Sequence, residues 1–195
     1  MLITAMKQWT LLTILSVALS LSAAAKNTDT NGYIKARGNP TGAGLFVDGK
    51  YIGPAGRFTV PEKYAIEPGT HEVRLEDPRF EAFTTKVTVT AGKTAKLHFK
   101  LKKVEPPKGP FGRLRFGGGE AESFISVAYG DTSAVYINGR FWGHVDEFNN
   151  IGGGMLLPAG TYQLSVNSPI FGEIKKDVTV TANKVTVIPL PAVKK

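Results

Sequence analysis

Three histidines, His71, His98 and His144, are the natural proton carriers of this 195-residue chain. They sit in unrelated settings. His71 alternates with Val73 and Leu75, so its ring points the way theirs do. His98 lies between Lys96 and Lys100 on a wet face, and His144 follows Gly143 in a loop. No shared acid–base or metal centre follows from that spacing. The chain has no cysteine, which removes thiol catalysis and thiolate metal sites. There is no G-x-S-x-G nucleophile elbow. Gly117-Gly118-Gly119 lacks the Lys-Ser/Thr of a phosphate loop. The polar loop 144–154 is rich in oxygen ligands, yet it departs from the Asp-x-Asp/Asn-x-Asp/Asn-Gly order of an EF-type calcium loop. Neither an enzyme, a metal nor a cofactor is expected.

Two other groups of residues point to contact rather than chemistry. Phe141-Trp142 are strand neighbours, and strand neighbours face opposite sides. One should enter a core and the other should stay exposed beside its turn. With Phe148 they could form an aromatic platform for a sugar ring. The second group is Val185 and Val187, which alternate with Ile188 and Leu190 on the far face of the last strand. A strand apolar on both faces needs a cover. The candidates are the first half of the chain, the segment Phe111–Phe116 or a partner chain; a one-residue shift that turns both valines inward is the alternative.

These residues belong to a sequence that is written twice. Leu45-Phe46-Val47-Asp48-Gly49-Lys50-Tyr51-Ile52-Gly53 returns as Val135-Tyr136-Ile137-Asn138-Gly139-Arg140-Phe141-Trp142-Gly143, an offset of 90. Pro68-Gly69-Thr70-His71 returns as Ala159-Gly160-Thr161-Tyr162, and Val87-Thr88-Val89-Thr90-Ala91 returns unchanged at 178–182, both offset by 91. A repeat of this length means two copies of one small domain. His71 becomes Tyr162 in the second copy, which suits a packing ring with a polar tip.

Within each copy the apolar period is two, as in half-buried strands. Val73 and Leu75 alternate with Glu72, Arg74 and Glu76; Leu97, Phe99 and Leu101 alternate with Lys96, His98 and Lys100. Asp48-Gly49 and Asn138-Gly139 lie between apolar pairs and predict two-residue hairpin loops. Ala91-Gly92-Lys93 and Ala182-Asn183-Lys184 predict a second hairpin turn. The expected fold is all-β: two tandem small antiparallel β-sandwich domains of six or seven strands each. They would occupy residues 31–102 and 122–192, with a Pro/Gly-rich linker over 103–121. Phe111–Phe116 alternates within that linker and could add a strand to either copy.

The start of the chain predicts a signal peptide over residues 1–25. Lys7 precedes an apolar run from Trp9 to Leu21, then Ala23-Ala24-Ala25 and polar residues. The run falls short of the roughly 20 residues that span a bilayer. The expected location is periplasmic, extracellular or cell-surface, with no transmembrane segment after cleavage. Net charge is +8, which suits an anionic partner such as a cell-envelope polymer. Nucleic acid is not an expected partner for an exported chain.

Taken together, the run apolar-apolar-Asp/Asn-Gly-Lys/Arg-aromatic-x-Gly, then Pro/Ala-Gly-Thr-His/Tyr, then Val-Thr-Val-Thr-Ala-Gly/Asn-Lys resembles the PEGA domain. The resemblance covers residues 33–101 and 124–190. The eponymous string is not intact: the first copy reads Glu67-Pro68-Gly69-Thr70 and the second Pro158-Ala159-Gly160-Thr161. The resemblance implies a small all-β accessory module of exported and surface-associated proteins, with no catalytic residues. Two roles remain open. One is a structural or interaction module acting through protein contacts. The other is a carbohydrate- or cell-wall-binding module that uses the aromatics of the second copy.

Overall fold

A computed structural model describes residues 30–59, 61–117, 132–149 and 153–191. The expected signal peptide lies outside them. Regular structure among the described residues is strand, apart from short 3-10 turns such as Ala55–Phe58 and Val145–Phe148. No described helix is long and apolar enough to cross a membrane.

Seven strands form the first domain: β1 (Gly32–Asn39), β2 (Gly44–Val47), β3 (Lys50–Pro54), β4 (Tyr64–Ile66), β5 (Gly69–Glu76), β6 (Phe83–Val89) and β7 (Thr94–Lys100). They make two sheets, β3-β2-β5-β6 and β4-β1-β7. Seven more form the second domain: β8 (Phe111–Phe116), β9 (Ala134–Ile137), β10 (Arg140–His144), β11 (Met155–Pro158), β12 (Gly160–Ser168), β13 (Gly172–Val180) and β14 (Val185–Ile188). Their sheets are β10-β9-β12-β13 and β11-β8-β14. Pairing is antiparallel except at one place in each domain, where the first strand runs parallel to the last: β1 with β7 and β8 with β14.

Alternation does the folding. Inward residues of both sheets meet in one dry layer per domain: Ile34, Leu45, Val73, Leu75 and Phe99 in the first, Leu114, Val135, Leu157, Leu164 and Ile188 in the second. Each such side chain contributes about 1.5–3 kcal/mol by leaving water. The Asp-Gly and Asn-Gly turns hold the left-handed backbone that two-residue hairpins require. Asp48 and Gly49 have φ of 49° and 80°, Asn138 and Gly139 of 50° and 77°. The same side chains then tie each turn to the next strand. The Glu72 amide donates to Asp48 Oδ1, and the Gln163 amide to Asn138 Oδ1, both at 2.9 Å.

The sequence expectation needs correction at two points. The segment Phe111–Phe116 is not linker; it is the central strand of the β11-β8-β14 sheet. It occupies the place of β1, but at an offset of 80 rather than 90. Ile34 pairs with Tyr64 and Ala95; Leu114 pairs with Met155 and Thr186. A ten-residue longer connection between β8 and β9 breaks the constant offset and hides the strand. The spacer proper is therefore the proline-rich 104–110. The second point is the turn at residues 91–93. It is not a hairpin, because β6 and β7 lie in different sheets, as do β13 and β14. The chain crosses from one layer to the other there, with Lys93 donating to Thr90 O and Lys184 to Thr181 O.

The two domains touch through the outer faces of their four-stranded sheets. Phe46 of β2 meets Phe141 of β10 edge to face at 5.3 Å; Tyr51 lies 5.2 Å from Phe141 and Tyr136 lies 5.9 Å from it. Phe46 is the counterpart of Tyr136, and Tyr51 of Phe141. The same patch on each copy thus faces the other, as at a two-fold interface. Gly44 makes the seat: a side chain there would strike the Phe141 ring at 2.5 Å.

Candidate functional site

The aromatic pair on β10 divides as strand geometry requires, but neither ring stands free. Phe141 points away from its own core and is 1% exposed, because the first domain covers it. Trp142 points the other way and packs, half-buried, against the second core with Phe148. The expected exposed ring is therefore corrected: what the sequence could not show was the neighbouring domain. Trp142 and Phe148 still meet solvent, along a cleft of about 730 Å³ between the domains. Phe111 and the linker prolines Pro106 and Pro107 supply more of its apolar lining.

Charged groups in this cleft are already engaged. Asp77 is buried and accepts from Arg79 three times: from the backbone amide at 2.9 Å, Nε at 2.9 Å and Nη2 at 2.7 Å. The Asp77 carboxylate raises the Arg79 pKa; burial opposes this, and Glu147 adds to it. Glu147 also lies 3.3 Å from His144 Nε2, and His144 Nδ1 bonds Asp146. Asp77 and Arg79 neutralise each other beside the aromatic rings. Among the described residues no group of His, Asp and Glu is arranged to hold a metal ion.

His71 is held at both ring nitrogens. Nδ1 lies 2.7 Å from Asp48 Oδ2 and Nε2 lies 2.9 Å from Glu67 O. Both partners accept, so only the imidazolium can donate to both. The bond to Asp48 accordingly raises the His71 pKa, burial opposes it, and the Glu67 carbonyl adds to it. The bond to His71 and that from the Glu72 amide lower the pKa of Asp48. In the second copy Tyr162 makes the equivalent clip with one bond, its hydroxyl donating to Pro158 O at 2.7 Å. His71 is a charged strut of the fold, away from His98 and His144.

Val185 and Val187 lie on the outer face of the three-stranded sheet. β14 does join Phe111–Phe116, but through its backbone edge: Val185 stands opposite Arg113 and Val187 opposite Arg115. The side chains are 54% and 42% exposed. Neither the first domain nor Phe111–Phe116 covers them, and Ile188, buried in the core, excludes the inward register. Leu156, 54% exposed, completes the row Leu156–Arg113–Val185 across β11, β8 and β14. The sequence reading missed Leu156, although the apolar run Met155-Leu156-Leu157 against Tyr64-Ala65-Ile66 at offset 91 was a usable signal.

The PEGA domain profile matches residues 32–105 and 126–193. Among solved structures, the Bacillus anthracis TIE protein is similar over 83% of this chain and 34% of its own, at 18% identity and a TM-score of 0.30. The chain thus spans about a third of that structure's length. No curated protein matches the chain. PEGA is a family of non-catalytic domains, and this chain belongs to it, with two PEGA domains in tandem.

Proposed function

We propose that this chain is an exported, non-enzymatic module of the periplasm or cell surface that works through protein contacts. The signal-peptide pattern and the PEGA family support the location. One observation carries the contact: Leu156, Val185 and Val187 stand exposed together on the outer face of β11-β8-β14. Val185 and Val187 neighbour each other on one face of β14, and Leu156 flanks the same face beyond Arg113; grouped exposed apolar side chains mark interaction sites more than isolated ones do. A photo-crosslinking residue at Val187 tests this in cells that export the protein. A discrete protein adduct is expected at Val187 and at Leu156, and none at Lys86 on β6 of the first domain. Equal labelling at all three positions would end the proposal.

The interdomain cleft supports a second reading, a carbohydrate- or cell-wall-binding module. Trp142 and Phe148 face it, and aromatic rings there could stack on a sugar. Peptidoglycan pull-down and glycan-array binding by the mature protein test this. Trp142→Ala with Phe148→Ala should abolish any retention; retention that survives both changes would move the glycan elsewhere.

A further inference from the structure

We propose that the outer face of the first domain, β4-β1-β7, binds a linear phosphodiester polymer. The face is a ladder of cations. On β7 the outward residues are Lys96, His98 and Lys100; on β1 they include Lys35 and Arg37. The parallel register sets Lys35 beside Lys96 and Arg37 beside His98. Alternate residues on a strand repeat at about 6.6 Å, and neighbouring strands lie about 4.8 Å apart. Two short rows therefore run side by side along the face, with the cations Lys35 and Arg37 in one and Lys96 and Lys100 in the other. Lys63, at the start of β4, adds another, its ammonium 3.1 Å from the centre of the Tyr33 ring.

Two features separate this ladder from an ordinary solvated surface. Like charges set directly opposite on neighbouring strands destabilise a sheet, so scattering them would serve solubility better. Moreover, none of Lys35, Arg37, Lys96 or Lys100 forms an ion pair among the described residues, although some cations elsewhere do. Arg57 pairs with Glu62, Arg74 with Glu76, Lys102 with Glu81 and Lys175 with Glu173. The outward positions of β1 and β7 themselves carry no carboxylate. The unneutralised charge is what a polyanion supplies.

The same face argues for a polymer over a lipid surface. Its outward residues include none of the exposed large apolar side chains, which are Phe83, Leu156, Val185 and Val187. Nothing there could enter a bilayer. A chain of phosphodiesters instead presents charge after charge along one line, and Arg37 can grip a phosphate with two donors.

Calorimetric titration of the full chain with linear polyphosphate of defined length, as the phosphodiester surrogate, tests the proposal. Neutralising about five charges of a linear polyanion should weaken binding roughly 100-fold when salt rises fourfold. Lys96→Glu and Arg37→Glu should each weaken binding by about tenfold or more, the equivalent of about 1.4 kcal/mol. Neither should lower the unfolding temperature, because Lys96→Glu relieves its contact with Lys35 and Arg37 is an exposed residue; loss of binding then cannot be blamed on misfolding. Lys108→Glu in the linker makes the same change in net charge and should weaken binding far less. An equal loss in Lys108→Glu would overturn the site in favour of diffuse charge. Tighter binding to anionic phospholipid vesicles than to the polymer would overturn the choice of occupant. Inorganic phosphate that competes at equal phosphate concentration would reduce the ladder to a simple ion site.

Discussion

The outer three-stranded sheets of the two domains share a backbone and have opposite surfaces. In the first, Ala65, Tyr33 and Thr94 form one row, with Lys35 and Lys96 in the next. In the second, the equivalent rows read Leu156, Arg113 and Val185, then Arg115 and Val187. Strand order, register and the parallel closure are the same. Core positions have changed only among apolar residues, such as Ala36 to Phe116 and Leu45 to Val135, whereas outward positions have changed character: Ala65 to Leu156, Thr94 to Val185 and Lys96 to Val187. A duplicated scaffold has one core requirement and two free faces. Both faces carry cations on the central strand, but the first sets Lys96 beside Lys35 where the second sets Val187 beside Arg115 and adds Leu156 and Val185, so the two suit different partners.

If that division is right, buried and shared positions should be costly and outward ones cheap. The largest effect is expected at Phe141, where the copies meet. Phe141→Ala removes the ring that Phe46, Tyr51 and Tyr136 surround, and truncating a buried Phe costs about 3–5 kcal/mol. Because those contacts join the domains, calorimetry should resolve two unfolding transitions in the variant. A single, barely shifted transition would mean that the domains are not coupled through this ring.

Next in size is a matched pair, Gly32→Ala and Gly112→Ala. Gly32 is the first residue of β1 and Gly112 the second of β8, the central strands of their three-stranded sheets. A methyl group at Gly32 would land on the Val89 side chain and Thr90 O; at Gly112 it would land on Val180 and Thr181 O. Those partners are counterparts at offset 91. Overpacking of this kind costs about 1–3 kcal/mol, and the two variants should agree within about 0.5 kcal/mol, the usual scatter between independent sites. Denaturant midpoints measure both. Strongly unequal costs would show that β8 is not the true counterpart of β1.

That equivalence marks the limit of what the sequence makes legible. Period-two patterning and the Asp-Gly and Asn-Gly turns are local signals, so the strands and hairpins can be read directly. The Phe111–Phe116 strand was visible only as alternation, because the longer following connection displaced it from the repeat. The turn at residues 91–93 misleads for a related reason: a tight turn joins two strands within a sheet or across two layers with the same residues. The site was less legible than the fold. That Phe141 is buried and Trp142 borders a cleft depends on where the second domain rests, and no spacing within one copy encodes that. Asp77 and Arg79 entered the cleft unannounced for the same reason.

A smaller effect separates the copies by pH. The His71 pKa is raised above its ordinary 6.5 chiefly by the bond to Asp48. Its contribution is therefore complete below about 6.5 and fades as pH rises through the folded-state value. The pKa of Asp48 is lowered from 3.8, first by the same bond. Its contribution is present above about 3.8 and is lost as pH falls through the lower folded-state value. Between those limits the pair is fully formed, so stability of the first domain should be lower on the alkaline side of His71. The Tyr162 clip of the second copy contains no imidazole. Replacing His71 by the second copy's residue, His71→Tyr, should flatten the profile between pH 6 and pH 9, measured by urea midpoints. An unaltered slope would assign the dependence to another group.

The smallest effect is expected at Val187, and its smallness is the point. A valine inside either core would lose about 1.5–3 kcal/mol on becoming charged and solvated. At 42% exposure on the outer face, Val187 gives up little by comparison. It stands opposite Arg115, so Val187→Lys recreates the Lys35–Lys96 arrangement of the first copy. The change in stability should stay within about 0.5 kcal/mol, as for an ordinary surface substitution. Its sign should be unfavourable, because a new cation faces an old one, and added salt should shrink it. The same variant should lose any partner held by the apolar row. A fall well beyond 1 kcal/mol in the isolated chain would mean that Val187 is already covered, and the two outer faces would then not be equally free.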